Sequence, residues 1–189
     1  MSNENSLNHF SLISRLFGNL FYRSPQDATL QNVFAWLQQK PLNGLWPLET
    51  DKQSEQALTA LQMKIDLALL DQEYLRLFAG ENPLVKTDLA AYDIDPADFL
   101  AFRQERGMPE VEQSAVGFPL VFLTASWIED NLDSTEAQKT LFAEFLLPCA
   151  SKFLSAVETQ ANLPFYRALA MLSRDLLAAM ADELEEGNV

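Results

Sequence analysis

Histidine and cysteine are almost missing from this chain. His9 and Cys149 are the sole examples among 189 residues. A histidine-based triad would have to use His9, and no nucleophile motif accompanies it. One His and one Cys do not make a zinc site, and no compact acidic motif suggests a magnesium or calcium site. A lone cysteine cannot form an intramolecular disulfide, which suits a cytoplasmic location. Cys149 follows Pro148 in an apolar helical segment and reads as a packing residue. Glycine is scarce as well. None of the six falls in a phosphate-cradling G-x-x-x-x-G-K or a dinucleotide-binding G-x-G-x-x-G pattern. No cofactor and no metal are expected. An enzyme working with acidic residues alone is the least favoured class.

Basic residues are also few. Lys plus Arg number 13 against 27 Asp plus Glu, for a net charge of -14 and a pI near 4.3. Nucleic acid is a poor partner, because its phosphates need cationic side chains to displace counterions. Anionic membrane surfaces are disfavoured for the same reason. A basic peptide or protein is the natural partner for an acidic field. Met1 to Asn8 has no basic stretch, and Ser14, Arg15 and Asn19 interrupt the apolar residues beyond it. Neither a signal peptide nor a stable membrane insertion is expected.

What is abundant is leucine, which far outnumbers valine and isoleucine together. That favours helix over sheet. Phe10, Ile13, Phe17 and Leu20 form one helical stripe. Ser24-Pro25-Gln26-Asp27 reads as a helix start, with Leu30, Val33, Phe34 and Leu37 behind it. Leu58, Leu61, Ile65 and Leu69 make a stripe that runs on towards Tyr74, Leu77 and Phe78. Gly80 is expected to stop it in the left-handed conformation. Residues 81–94 carry no clear period. Asp95-Pro96-Ala97-Asp98 starts another helix, with Phe99 and Phe102 inward and Gly107 as its stop. Residues 108–115 form a connector. Val116 to Asp130 is nearly all apolar, as in a helix at the centre of a bundle. Asp133-Ser134-Thr135-Glu136 caps the next helix, which buries Leu141, Phe142, Phe145 and Leu146 and should kink or break at Pro148. Phe153, Leu154 and Val157 continue it. Pro164 opens the last helix, with Phe165, Leu169, Leu172, Leu176 and Met180 inward. Its acidic end, Asp182 to Glu186, should fray. Glu129-Asp130 and Glu183 to Glu186 read as solvated helix ends. Together these signals predict an all-α fold: one compact helical bundle over residues 1–189, of about eight or nine helices. Residues 81–115 hold its irregular hinge or loop region.

Without catalytic residues, such a domain is most simply an interaction protein. Its binding residues should lie near the irregular segments. Tyr74, Phe78 and Trp127 are aromatic residues near those junctions and offer large contact areas. Glu81, Asp88, Asp93 and Asp95 would give an acidic rim to an apolar groove, suited to a partner segment with arginines followed by an apolar stretch. The candidate partner-binding residues are therefore Tyr74, Phe78, Glu81, Asp88 and Trp127.

The order of the motifs carries a resemblance. Leu20-Phe21-Tyr22-Arg23-Ser24-Pro25 is followed by Tyr74-x-Arg-Leu-Phe-x-Gly80 and then by Arg106-Gly-Met-Pro109. After these come the helix ending at Trp127, the Phe142-x-x-Phe145-Leu146-x-Pro148 segment and Pro164-Phe165-Tyr166. Across nearly its whole length the chain resembles the TorD/DmsD/NarJ family of redox-enzyme maturation chaperones, and most of all the YcdY-like branch. The resemblance implies a cytoplasmic, client-specific chaperone of a metalloenzyme, binding its immature form or leader peptide. It also implies a monomer or a helix-swapped dimer. Two family motifs implicated in recognition are replaced. Lys86-Thr87-Asp88-Leu89-Ala90 stands where a Pro-Pro-Tyr-x-Ser type motif is typical, and Val116-Gly117 stands where an Asp-His pair is typical. A non-catalytic adaptor that has lost leader-peptide recognition is the competing expectation.

Overall fold

The computed structural model describes residues 2–132 and 134–187, with side chains from His9 onward. Among the described residues the chain is helical, with no strand beyond one isolated bridge. In order come α1 (Ser2–Tyr22), α2 (Val33–Leu37), α3 (Leu42–Leu45), α4 (Lys52–Leu61), α5 (Leu67–Tyr74), α6 (Pro96–Glu105), α7 (Phe118–Asn131), α8 (Thr135–Leu141), α9 (Leu147–Gln160) and α10 (Pro164–Glu186). Short 3-10 turns fill Ala28–Leu30, Leu89–Tyr92 and Gln113–Ala115.

The bundle is built around α7. Phe118, Leu120, Val121, Phe122, Thr124, Ala125, Ser126 and Ile128 are all buried, so α7 has hardly any face left for water. α1 lies antiparallel along it. Ser126 donates to the Ser11 carbonyl at 3.0 Å, Ser11 and Arg15 both engage Asp130, and Gly18 meets Leu123. A Cβ at Gly18 would come within 2.8 Å of the Leu123 side chain and 3.1 Å of its backbone nitrogen. Glycine is what lets the two helix backbones approach there. α10 packs against α4 and α9. Buried Glu73 of α5 ties this half together. It pairs with Arg76 at 2.9 Å and accepts the backbone N–H groups of Asn162 and Leu163 at the start of α10. A carboxylate is favoured at that end of a helix.

Most of the expected stripes are buried as spaced, including Phe10, Ile13, Phe17 and Leu20 of α1 and Phe165, Leu169, Leu172, Leu176 and Met180 of α10. Asp95 caps α6 through the Ala97 N–H. Gly107 ends α6 at φ 71°, with the Met108 N–H returning to the Arg103 carbonyl at 3.1 Å. Several details differ from the sequence reading. Ser24 to Asp27 closes a turn around Pro25, with the Asp27 N–H on the Ser24 carbonyl at 3.0 Å. The capping residue is Asp27, which accepts the Thr29 N–H at the start of the 3-10 turn Ala28–Leu30. The stripe of α4 does not run into α5. The chain breaks after Leu61, Leu69 is exposed, and Leu70 takes the inward position. The regular α-helix is interrupted just ahead of Pro148, which sits in the first turn of α9. A wide π turn over Phe142–Leu146 carries α8 into α9, so that Thr135 to Gln160 is one continuous helical stretch. Such a turn rearranges the ladder just where proline has no N–H to give. By length and composition this stretch could cross a membrane, at a mean hydropathy of 1.4, but half of that window is buried inside the bundle. The acidic end of α10 stays helical through Glu186, because Leu184 is buried. Ser134 caps α8 through the Ala137 N–H, whereas Asp133 lies outside the described residues. Glu129 is half-buried and accepts from Gln138 at 2.8 Å, whereas Asp130 is exposed as expected and pairs with Arg15 of α1.

The Gly18 contact yields a paired test. Gly18→Val should lower the stability to urea unfolding by about 1–3 kcal/mol, the usual cost of overpacking. Gly44→Ala, with nothing within 4 Å of the added carbon, should be neutral or gain up to about 1 kcal/mol.

Candidate functional site: an aromatic-floored cavity at the start of the central helix

The segment that ends α5 is unusual. Leu75–Ala79 forms a π turn, closed by the Gly80 N–H on the Leu75 carbonyl at 2.6 Å. Gly80 itself is extended at φ -75° and ψ -177°, not left-handed. Its role is close approach, since a Cβ there would sit 2.9 Å from the Leu75 oxygen. The chain then folds back on this turn. Leu84 and Val85 donate to the carbonyls of Arg76 and Leu77 at 3.2 and 2.8 Å. Val85 and Leu89 are buried anchors, and the Tyr92 hydroxyl clamps the Lys86 carbonyl at 2.6 Å. The segment 81–94 is therefore tied down although it lacks a period.

Its anchoring brings Thr87 and Asp88 onto the first turn of α7. Asp88 bridges to Gly117, and the Phe118 N–H donates to the Thr87 carbonyl at 2.9 Å. A Cβ at Gly117 would lie 2.5 Å from that carbonyl oxygen, so only glycine fits. A cavity of about 160 Å³ opens here, lined by Tyr22, Tyr74, Phe78, Asp88, Val116 and Pro119 among others. Its floor is aromatic. Phe78 meets Phe21 edge-on at 6.0 Å and stacks on Phe153 at 5.9 Å. Phe118 stacks on Phe153 at 4.3 Å, and Tyr166 lies beneath Phe78 at 5.5 Å. Such interlocked rings hold a fixed shape. Tyr74 is nearly buried and donates its hydroxyl to the Tyr22 carbonyl at 3.0 Å. Burial pushes its phenol up to about 12, so it stays a hydrogen-bond donor at neutral pH.

Of the five residues singled out in the sequence, Tyr74, Phe78 and Asp88 meet at this cavity. Glu81 is exposed and does not line it. Trp127 is half-buried near the other end of α7, ten residues on from Gly117, about 15 Å along a helix. The four carboxylates expected to share one rim do not. The 3-10 turn Leu89–Tyr92 carries Asp93 and Asp95 to a separate cleft between α6 and the Phe142–Leu146 turn. Phe21, Tyr22, Ser114 and Pro119 also line the cavity, although sequence reasoning does not single them out. Their signal lies in the Leu20-Phe21-Tyr22 match and in the apolar run from Val116. His9 and Cys149 have no part in the cavity. Cys149 is buried, donates to the Phe145 carbonyl and has its thiol pushed up to about 12 by burial. Among the described residues no cluster of three potential metal ligands occurs.

Two measurements probe this construction. Gly117→Ala must push the 87–88 segment off α7. A loss of about 1–3 kcal/mol and faster amide exchange at Phe118 are expected. Tyr74→Phe should cost about 1 kcal/mol at pH 7, the worth of one hydrogen bond. The alkaline behaviour gives the second readout. The unfolded phenol ionises near 10 and the folded one near 12, so wild-type stability falls as pH rises through that interval, and part of that fall should vanish in the variant.

No family model matches the chain. Individual proteins do. It is 61% identical over 183 residues to an uncharacterized protein of Haemophilus influenzae, covering 97% of this chain and 98% of that one. It is 40% identical over 184 residues to the chaperone protein YcdY of Escherichia coli, covering 95% of this chain and 98% of YcdY. It is 29% identical over 187 residues to the Tat proofreading chaperone DmsD of Salmonella typhimurium, covering 93% of this chain and 90% of DmsD. These named relatives are chaperones rather than enzymes. The helical bundle and the end-to-end identity lead to one conclusion: the chain belongs to the TorD/DmsD family of redox-enzyme maturation chaperones, in its YcdY-like branch.

Proposed function

We propose that this protein is a cytoplasmic, client-specific chaperone that holds an immature metalloenzyme until its cofactor is inserted. It grips an apolar segment or leader of the client at the cavity between the 87–88 segment and the start of α7. One observation supports this reading above others. The two stretches that replace the family's recognition motifs, 86–90 and 116–117, are far apart in sequence yet meet at the mouth of one aromatic-floored cavity, where Asp88 bridges to Gly117. The location suits recognition, while the residues differ. Asp88 puts a carboxylate at the rim and Val116-Gly117 an apolar edge, so the client segment should be cationic beside an apolar residue.

A second reading is an adaptor that has lost leader recognition. The small volume of the cavity, about 160 Å³, favours it, because that space takes one side chain rather than a helix. A photocrosslinking residue at Thr87, with another at Trp127 as control, separates the two. Capture of a cofactor-free metalloenzyme precursor from position 87 and not from 127 is the expected result. Capture of a mature, active protein instead, or equal capture from both positions, would favour the adaptor.

A further inference from the structure

Arg103 is the anomaly of the electrostatics. Arg15, Arg23, Arg76, Arg106 and Arg174 each face a carboxylate, and Arg167 is exposed to water. Arg103, on α6, is only 7% exposed and forms no ion pair among the described residues. Its guanidinium meets no anion, only two neutral oxygens and, at 6.0 Å, the face of the Phe99 ring. Nη1 donates to the Thr124 hydroxyl at 2.7 Å and Nη2 to the Pro109 carbonyl at 3.1 Å. Nε is buried with no partner among the described residues. An arginine has five N–H donors, and two are committed here. The Thr124 hydroxyl is itself turned onto the Leu120 carbonyl at 2.8 Å. Burial lowers the guanidinium's affinity for its proton, yet arginine stays charged at physiological pH. A desolvated cation without an anion is a costly thing to keep in a chain with twice as many acids as bases.

Arg103 also lines a cavity of about 310 Å³ between α6 and the 108–111 connector. Leu100, Met108, Pro109 and Val111 give it apolar walls, and Glu110 is the only carboxylate among its described lining residues. Glu110 is exposed and does not reach Arg103. The volume is at the small end of ligand sites. We propose that this cavity is a carboxylate-binding site, in which Arg103 receives the anion while Leu100, Met108 and Val111 hold an apolar group attached to it. A guanidinium edge matches a carboxylate in shape and charge. The acidic field of the whole protein opposes the approach of any anion, but it is screened beyond about 8 Å at physiological ionic strength. The local pairing decides occupancy. The anion is either a free short-chain acid or the C-terminal carboxylate of a polypeptide ending in an apolar residue.

The test is an NMR titration that monitors the Met108 methyl group. Isovalerate should shift it saturably, and the neutral isostere isovaleramide should bind at least about tenfold more weakly. Two variants guard against a folding artefact. Arg103→Met keeps the volume and removes the charge, while Val111→Phe fills the cavity and leaves Arg103 in place. Both should lose the isovalerate shift. Acetyl-glycyl-valine with a free carboxylate then separates the sources: tighter binding than isovalerate identifies a polypeptide terminus, and weaker binding identifies a free acid. The proposal is overturned if isovalerate produces no saturable shift, if the amide binds equally well, or if Val111→Phe binds isovalerate like the wild type.

Discussion

A helix with no polar face must be surrounded, and that constraint organises this molecule. α7 carries apolar or small residues on nearly every side, so leaving any face in water would forfeit burial worth about 25 cal/mol per Å². α1 covers one side, and it can come close only because Gly18 presents no side chain to Leu123. The few polar groups on the shared surface are satisfied across it, with Ser126 on the Ser11 carbonyl and Asp130 receiving both Ser11 and Arg15. These bonds fix the register of two helices whose sequences are more than a hundred residues apart.

The first turn of α7 inherits this rigidity and passes it to the candidate site. A helix start has N–H groups without helical partners, and one of them, at Phe118, is taken by the Thr87 carbonyl. An otherwise irregular segment is thereby fastened to the most buried element of the fold. Glycine is demanded twice for the same reason. Gly117 lets the Thr87 carbonyl reach the helix, and Gly80 lets the π turn close before the chain doubles back. The cavity is thus a gap between fixed parts, floored by rings that lock one another. That is the kind of preorganised surface on which aromatic residues contribute most to binding.

The charge distribution has an outside and an inside. Outside, an excess of carboxylates sets a field suited to cationic partners. Inside, two charged side chains behave differently. Glu73 is neutralised by Arg76 and by the start of α10, and so serves as a structural tie between helices. Arg103 meets neutral oxygens and the Phe99 ring but no anion among the described residues, and it borders open space. Buried charges are normally paired, so the second arrangement points outward, to something the chain itself does not supply.

Much of the fold is legible because its signals are local. A 3.6-residue period needs only neighbouring residues to be seen, and the stripes of α1, α6 and α10 are correctly spaced for burial. The Asp95 cap and the left-handed Gly107 are likewise written in four or five consecutive residues. Expectation and structure part where packing or a less common turn decides the outcome. Gly80 is required by a carbonyl five residues back in a π turn, not by its own φ. Leu69 yields its inward place to Leu70 because the chain breaks between α4 and α5. Residue types and their spacing are enough to specify an all-helical, acidic chain without catalytic equipment, and to set Tyr74 and Phe78 beside an irregular junction. They do not specify that Asp88 joins this pair while Glu81 and Trp127 stay away. The reason is geometric: membership of a cavity depends on how α5 and α7 pack and on one hydrogen bond between residues 87 and 118, and no run of neighbouring residues encodes that distance.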